Sequence, residues 1–227
     1  EATGLVRVTC DATIQPICYG GRHTDLLAQR AQGRGQTDVA RWLAREAAGE
    51  AGSVHAFRQL SRELSTHGAP ADLVEAARSA ARDEVRHTRM VRRLSDHHGG
   101  RPAPAQPRAA PARGLFEVAL ENAVEGCVHE TFAAARAGWQ ARHATDGDIR
   151  SVSRVLARDE ARHADLAAAI HAWAMEVLPP AQAEAIETAR QHAWTRIAES
   201  PETLSPSDTA RLGLPEPHQR RALVHAL

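Results

Sequence analysis

Lysine is missing from this sequence: all 28 basic residues are arginine. They are matched by 28 carboxylates, so the net charge is zero and no overall field draws the chain to nucleic acid or to an anionic membrane. No concentrated basic patch stands out along the sequence, and nucleic acid is not expected as a partner. Nor does any apolar run approach the roughly 18 residues of a membrane span, so none is expected. Cysteine is scarce, at three. Cys10 and Cys18 lie close together in a turn-rich stretch and can be a disulfide or two free thiols, whereas Cys127 sits in a helical pattern. The chain begins at Glu1 without a Met, which leaves the location open between cytoplasmic and exported, with a leader or lipid anchor trimmed from a precursor.

What is present is enough for one substantial core: 227 residues, 43% of them hydrophobic. Residues 1–35 read as an irregular arm, with short β-type stretches from Leu5 to Cys10 and from Thr13 to Cys18 among several glycines. From Thr37 the texture turns helical. Thr37 or Asp38 caps a first helix that closes at Gly68, Ala69 and Pro70, and a second runs from about Ala71 to His97. The next segment, RPAPAQPRAAPAR at 101–113, carries four prolines and is expected to run extended. At about 3.1 Å per residue it can cross most of a bundle's length. Two more helices follow, Leu115 to His143 and Asp148 to Val177, and then a fifth from Ala181 to Glu199 and short pieces to Leu227. The expected organisation is all-α: an arm at 1–35, a four-helix bundle at 36–178 with a Pro-rich crossover at 100–113, and a helical extension at 179–227.

Each bundle helix marks its buried seam by steps of three and four residues. The seams pass Leu43, Glu46, Glu50, Ser53, Phe57 and Leu60; Ala77, Ala80, Glu84, His87 and Val91; Val118, Glu121, Glu125, Val128, Phe132, Ala135 and Trp139; and Leu156, Glu160, His163 and Ala167. All four are interrupted by ionisable residues. Burying four carboxylates together costs several kcal/mol each and adds their repulsion. With no counter-cation on the seams, a pair of divalent metal ions is the direct compensation, and carboxylate oxygen with imidazole nitrogen suits iron, manganese or zinc. Glu and His at i and i+3 lie about 60° apart around a helix and can converge on one ion.

The chain also looks duplicated. EAGSVHAF at 50–57 matches EGCVHETF at 125–132, and DEVRH at 83–87 matches DEARH at 159–163. Glu50 precedes Glu84 by 34 residues and Glu125 precedes Glu160 by 35. Two half-sites of the form Glu plus Glu-x-x-His would then face each other across a pseudo-twofold axis.

These residues resemble the ferritin-like superfamily of di-iron and di-manganese carboxylate proteins, over residues 37–177. The resemblance implies a ferritin-like four-helix bundle, with Glu50, Glu84, His87, Glu125, Glu160 and His163 as ligands to two iron ions, or manganese. In the similar small subunit of ribonucleotide reductase an aspartate orients the opposite histidine. Carried over, this pairs Asp159 with His87 and Asp83 with His163, and Arg86 and Arg162 can pair with those aspartates or cover the site. Glu46 and Glu121, one turn before ligands, read as bundle-end carboxylates near solvent, or as extra ligands or proton relays. Glu130 stands where rubrerythrin-like proteins use an additional glutamate, and His55 is its counterpart in the first copy.

The function this implies is a redox enzyme, an oxidase, oxygenase or peroxidase. It activates dioxygen or peroxide to oxidise a small molecule, with Glu46, Glu121 or Glu130 handling protons. The chain lacks the paired CxxC motifs of a rubredoxin-like site, so any electron donor is separate, and the only tyrosine, Tyr19, lies outside the helices. The alternative is a ferroxidase resembling bacterioferritin, acting on iron without an organic substrate. A large shell would favour storage, and a monomer or homodimer would favour small-molecule chemistry.

Overall fold

The structure is a computed structural model that describes residues 22, 33–106, 112–200 and 204–227. The β-type stretches before Cys18, the pairing of Cys10 with Cys18, Tyr19, and residues 107–111 of the crossover lie outside the described residues. Apart from one two-residue strand pair, the regular structure of the described residues is helical.

Helix α1 spans Asp38–Thr66, and the Thr37 hydroxyl caps it by accepting from the Ala40 N–H at 3.1 Å. A left-handed Gly68 (φ +74°) turns the chain into α2, Ala71–His97, which ends at a second left-handed glycine, Gly99. The two helices pack as an antiparallel pair. Strand β1 (Gly33–Arg34) pairs antiparallel with β2 (Arg101–Pro102) against the first turns of α1. Gly33 is required there, because a Cβ would lie 2.4 Å from that of Ala44.

The connection from α2 then travels to the other end of α1. There the Arg113 carbonyl accepts from His67 Nε2 at 2.8 Å, and the Arg113 guanidinium holds Glu63 at 2.8 and 2.9 Å. Between Ala44 and Glu63 lie about 28 Å of helix at 1.5 Å per residue. The described parts of the connection therefore lie at opposite ends of α1.

The second helix pair departs from expectation. Leu115–His143 is not one α-helix but α3 (Leu115–Glu121), a π-helical segment (Asn122–Glu130) and α4 (Thr131–His143). Bonding from i to i+5 takes an extra residue per turn, so everything after the segment is rotated relative to a 3.6-residue repeat. The expected seam residues Ala135 and Trp139 are half-buried, and Arg136, Ala137 and Gln140 take their place inside. Helix α5, Gly147–Val177, is capped by Asp146, which accepts from the N–H groups of Asp148 and Ile149. It packs on α4, on the π segment and on α2.

One apolar cluster, with Phe57, Leu60, Leu64, Leu73, Ala77 and Ile170, fills one end of the helix core. A second, with Val39, Leu43, Leu94, Ile149, Leu212 and Leu214, closes the other. The polar seam residues lie between them. Helix α6 (Pro180–Glu199) covers the outer side of the π segment through Ala193 and Ile197 against Val128 and Phe132. Helix α7 (Pro206–Leu212) docks at the second end, where Gln140 donates to the Leu212 carbonyl at 2.9 Å, and α8 (Pro217–His225) packs on α6. Among the described residues no helix is long and apolar enough to cross a membrane.

Candidate metal centre

Six side chains from α1, α2, the π segment and α5 converge between the two apolar ends: Glu50, Glu84, His87, Glu130, Glu160 and His163, all buried. They form two overlapping groups, Glu50, Glu84, His87 and Glu160, and Glu130, Glu160 and His163, each with donor atoms within 4.8 Å of one another. His87 Nδ1 lies 3.6 Å from Glu50, 3.4 Å from Glu84 and 3.4 Å from Glu160. His163 Nδ1 lies 3.3 Å from the same Glu84 oxygen, 3.3 Å from the other oxygen of Glu160 and 3.6 Å from Glu130. Glu84 and Glu160 are thus shared between the two imidazoles, while Glu50 and Glu130 each serve one.

Of the six residues expected as ligands, five are in the cluster. Glu125 is not: it is partly exposed and pairs with His129 at 3.0 Å. Glu130, expected as an additional glutamate or a proton carrier, stands where Glu125 was expected. The reason is the π segment, since Glu125 and Glu130 are i and i+5 and a π turn brings the later residue to the face a 3.6-residue repeat assigns to the earlier one. The segment is locked against α5 by local polar contacts. Asn122 Nδ2 donates to the Ala167 carbonyl at 2.9 Å, and Arg22 donates to the Asn122 side chain at 3.1 Å. Gly126 lets α5 approach, because a Cβ there would sit 2.6 Å from that of Ala167.

The carboxylates expected one turn away are occupied elsewhere. Glu46 is buried and holds Arg136 at 2.6 Å, so it is not a bundle-end group near solvent. Glu121 binds Arg113 and lies 3.5 Å from Arg22. Counter-cations for these two seam positions do exist, brought in from off the expected seams by the helix rotation, the crossover and the arm.

Both aspartates face the histidines across the α2–α5 contact. His87 Nε2 donates to Asp159 at 3.2 Å, which aims Nδ1 at the three glutamates. Asp83 lies 3.6 Å from His163 Nε2, beyond hydrogen-bond distance. Arg86 and Arg162 clasp both aspartates: Arg162 at 2.8 Å from Asp83 and 2.9 Å from Asp159, and Arg86 at 3.0 Å from Asp83 and in contact with Asp159. The facing His163, with Arg162 and Arg86, pulls the Asp83 carboxyl down to about 2 against its partial burial. Burial opposes ionisation of Asp159, but Arg86, His87, Arg158 and Arg162 hold it well below the ordinary carboxylate range.

Inside the cluster, burial and the charge of Glu84 raise the Glu50 carboxyl well above its ordinary value, and burial with the charge of Glu160 does the same to Glu130. Burial also disfavours charge on Glu84 and Glu160, yet the facing imidazoles, and for Glu160 the Glu130 carboxyl, hold both in the ionised form. Burial disfavours the imidazolium of both histidines, but the surrounding carboxylates raise them far above the ordinary imidazole value. Burial thus favours protons on Glu50 and Glu130, and the facing carboxylates favour them on both imidazoles.

That arrangement leaves polar atoms stranded. Both oxygens of Glu84, Glu130 and Glu160, Glu50 Oε2 and both Nδ1 atoms are buried without a hydrogen-bond partner. Such groups normally find partners, and a carboxylate and imidazole set with stranded atoms aimed at one another fits hard divalent cations. The cluster is compatible with a two-metal site. No protein family, no curated protein and no solved structure matches this chain.

A cavity with about 30 Å³ of room for water-sized molecules, space for about two of them, adjoins the cluster. Glu50 and Glu160 form part of its wall together with Trp42, Leu94, Leu156 and the Glu46–Arg136 pair. The opposite side of the cluster is closed by Phe57, whose ring lies 4.9 Å from that of His163, with the Arg22 guanidinium 5.9 Å behind it.

Proposed function

We propose that this chain is a ferritin-like di-metal carboxylate protein, and that it uses two iron ions to activate dioxygen or peroxide for the oxidation of a small molecule. The observation that carries the reading is the sharing of Glu84 and Glu160 between two histidines, each completed by one further glutamate. One ion would be held by Glu50, Glu84, Glu160 and His87, and its neighbour by Glu84, Glu130, Glu160 and His163. Paired iron, when bound, would supply two electrons to dioxygen or peroxide.

The chain's own residues supply the setting. Asp159 fixes the ring of His87, and the Arg86–Arg162 clasp fixes the aspartates. Phe57 and the Leu60–Leu64 end of the core exclude water from one side, so that approach is from the cavity, whose size suits dioxygen or peroxide. Glu46 stands in that cavity's wall as a carboxylate held by Arg136, placed to hold or pass a proton beside Glu50. Glu121, tied to Arg113 outside the cavity, is not given this role.

Metal content after aerobic purification tests the reading, together with the optical spectrum on adding ferrous iron and oxygen, in wild type and in Glu84→Ala. Near two irons per wild-type chain, with an oxygen-dependent absorption lost in the variant, is the expected result. A wild-type protein that takes up no metal on reconstitution would sink it.

A further inference from the structure

We propose that α7 is a lid over the cavity beside the cluster, and that the contact of His98 with Arg211 and Asp146 is its latch, released when His98 takes up a proton; this rests on the reading that a small organic molecule reaches the metals. The cavity has room for about two water-sized molecules. That suits dioxygen, but an organic substrate needs part of the enclosure to give way.

The wall is made by α1, α2, α4 and α5, helices that carry or adjoin the buried cluster, so parting them would pull the cluster apart. Behind the wall sits α7, seven residues long. Leu212 and Leu214 share one apolar cluster with the cavity residues Trp42, Leu43, Leu94 and Ile149. Gln140, also in the wall, donates to the Leu212 carbonyl at 2.9 Å, and the Thr145 N–H donates to the Ala210 carbonyl at 3.0 Å. Between the two leucines Gly213 makes a left-handed turn at φ +65°, which only glycine adopts freely. Lifting α7 away would uncover this end of the cavity while leaving every glutamate and histidine of the cluster in place.

His98 caps the C-terminus of α2, and its side chain is 6% exposed where α2, α5 and α7 meet. Its Nδ1 accepts from Arg211 of α7 at 3.3 Å, and its Nε2 lies 3.5 Å from Asp146, the cap of α5. Arg211 lies 3.6 Å from the same Asp146 oxygen. Nδ1 accepts only in the neutral ring. On protonation it becomes a donor facing a guanidinium, and the imidazolium draws Asp146 away from Arg211, so α7 loses both contacts. The charged groups around His98 are Arg211 from α7, His97 on α2, and Asp146 and Asp148 from α5. Burial, with Arg211 and His97, disfavours the imidazolium and outweighs the two aspartates. The latch is therefore fully held above the ordinary histidine value of 6.5 and weakens as pH falls through it.

Hydrogen exchange of the full metal-free chain at pH 7.5 and 5.5, corrected for intrinsic rates, tests the latch. Acrylamide quenching of Trp42, taken in each background as the difference made by Trp42→Phe, tests the lid. Expected on acidification are a rise of about threefold or more in opening at the Thr145 and Leu214 amides, no rise at core amides of α1 and α2, and stronger quenching of Trp42. His98→Gln should lose this pH dependence, and Arg211→Gln should show raised opening at both pH values. Equal opening at the two pH values in wild type, or the same rise in His98→Gln, overturns the latch. Opening of α7 with Trp42 still shielded overturns the lid. Neither readout involves metal, so failure of the metal reading shows separately, as wild type that takes up no iron.

Discussion

Glu125 and Glu130 differ by five positions and trade places between surface and cluster. Glu130→Ala is expected to lower metal content from two ions per chain to about one, whereas Glu125→Ala keeps two, since only the first removes a buried oxygen pair facing His163. Plasma emission spectrometry on reconstituted protein distinguishes the two. Asp159→Asn should weaken metal affinity by roughly 10–100-fold while leaving the fold, because it removes the anion that sets the His87 ring, as competition against a chelating dye would show.

The same residues set a pH dependence whose sign can be worked out. Glu50 and Glu130 are raised in the folded metal-free protein, so their contribution to stability is complete below their ordinary value of 4.5 and is lost as pH rises through the folded values. Both histidines act in the same direction from their ordinary 6.5. Asp83 is depressed, so its contribution is present above 3.8 and is lost as pH falls through about 2. Tm of the metal-free protein should therefore fall as pH is raised above neutrality. The loaded protein should not follow it, because metal has replaced the protons; parallel curves would refute this. Loading at pH 7 should release protons, His87 and His163 among their sources, measurable with an indicator dye.

At the scale of elements, the π segment decides which glutamate joins the buried cluster and which residues line the cavity. Its rotation carries Arg136 inward to meet Glu46 and leaves Trp139 half-buried, stacked on His143. Gly126→Ala places a methyl 2.6 Å from Ala167 and should destabilise the protein by about 1–3 kcal/mol in chemical denaturation. If α5 is pushed away from the π segment, loss of the ion beside His163 should accompany it. The other helices were legible because their signals are local. Thr37, Gly68, Gly99 and Pro179 mark ends within a residue or two of where they fall, and the prolines of 101–113 forbid a helix between α2 and α3. A π segment has no such local marker. Its sequence, NAVEGCVHE, reads equally well as α-helix, and the contacts that hold it, Asn122 and Cys127 on the Ala167 carbonyl and Arg22 on Asn122, come from residues 40 to 100 positions away.

For the whole molecule, two helix pairs bury one polar cluster between two apolar ends, and the duplication seen in the sequence is only approximate in space. The halves agree at Glu84, His87, Glu160 and His163 and part at Glu50 and Glu130, which occupy different positions in the repeated motif. Analytical ultracentrifugation should find a monomer or homodimer; a shell of many copies would favour iron storage over oxidation of a small molecule.

Sequence alone determined the ends of α1, α2 and α5, the two Glu-x-x-His motifs and the need for a compensating charge, because each follows from spacing along one helix or from the cost of burying carboxylates. Tertiary structure decided the rest. Which glutamate completes the second half-site, which arginines neutralise Glu46 and Glu121, and which arginines gather over the histidines all depend on a rotation within one helix and on contacts between helices, and those are settled only when the packed chain satisfies its buried polar groups together.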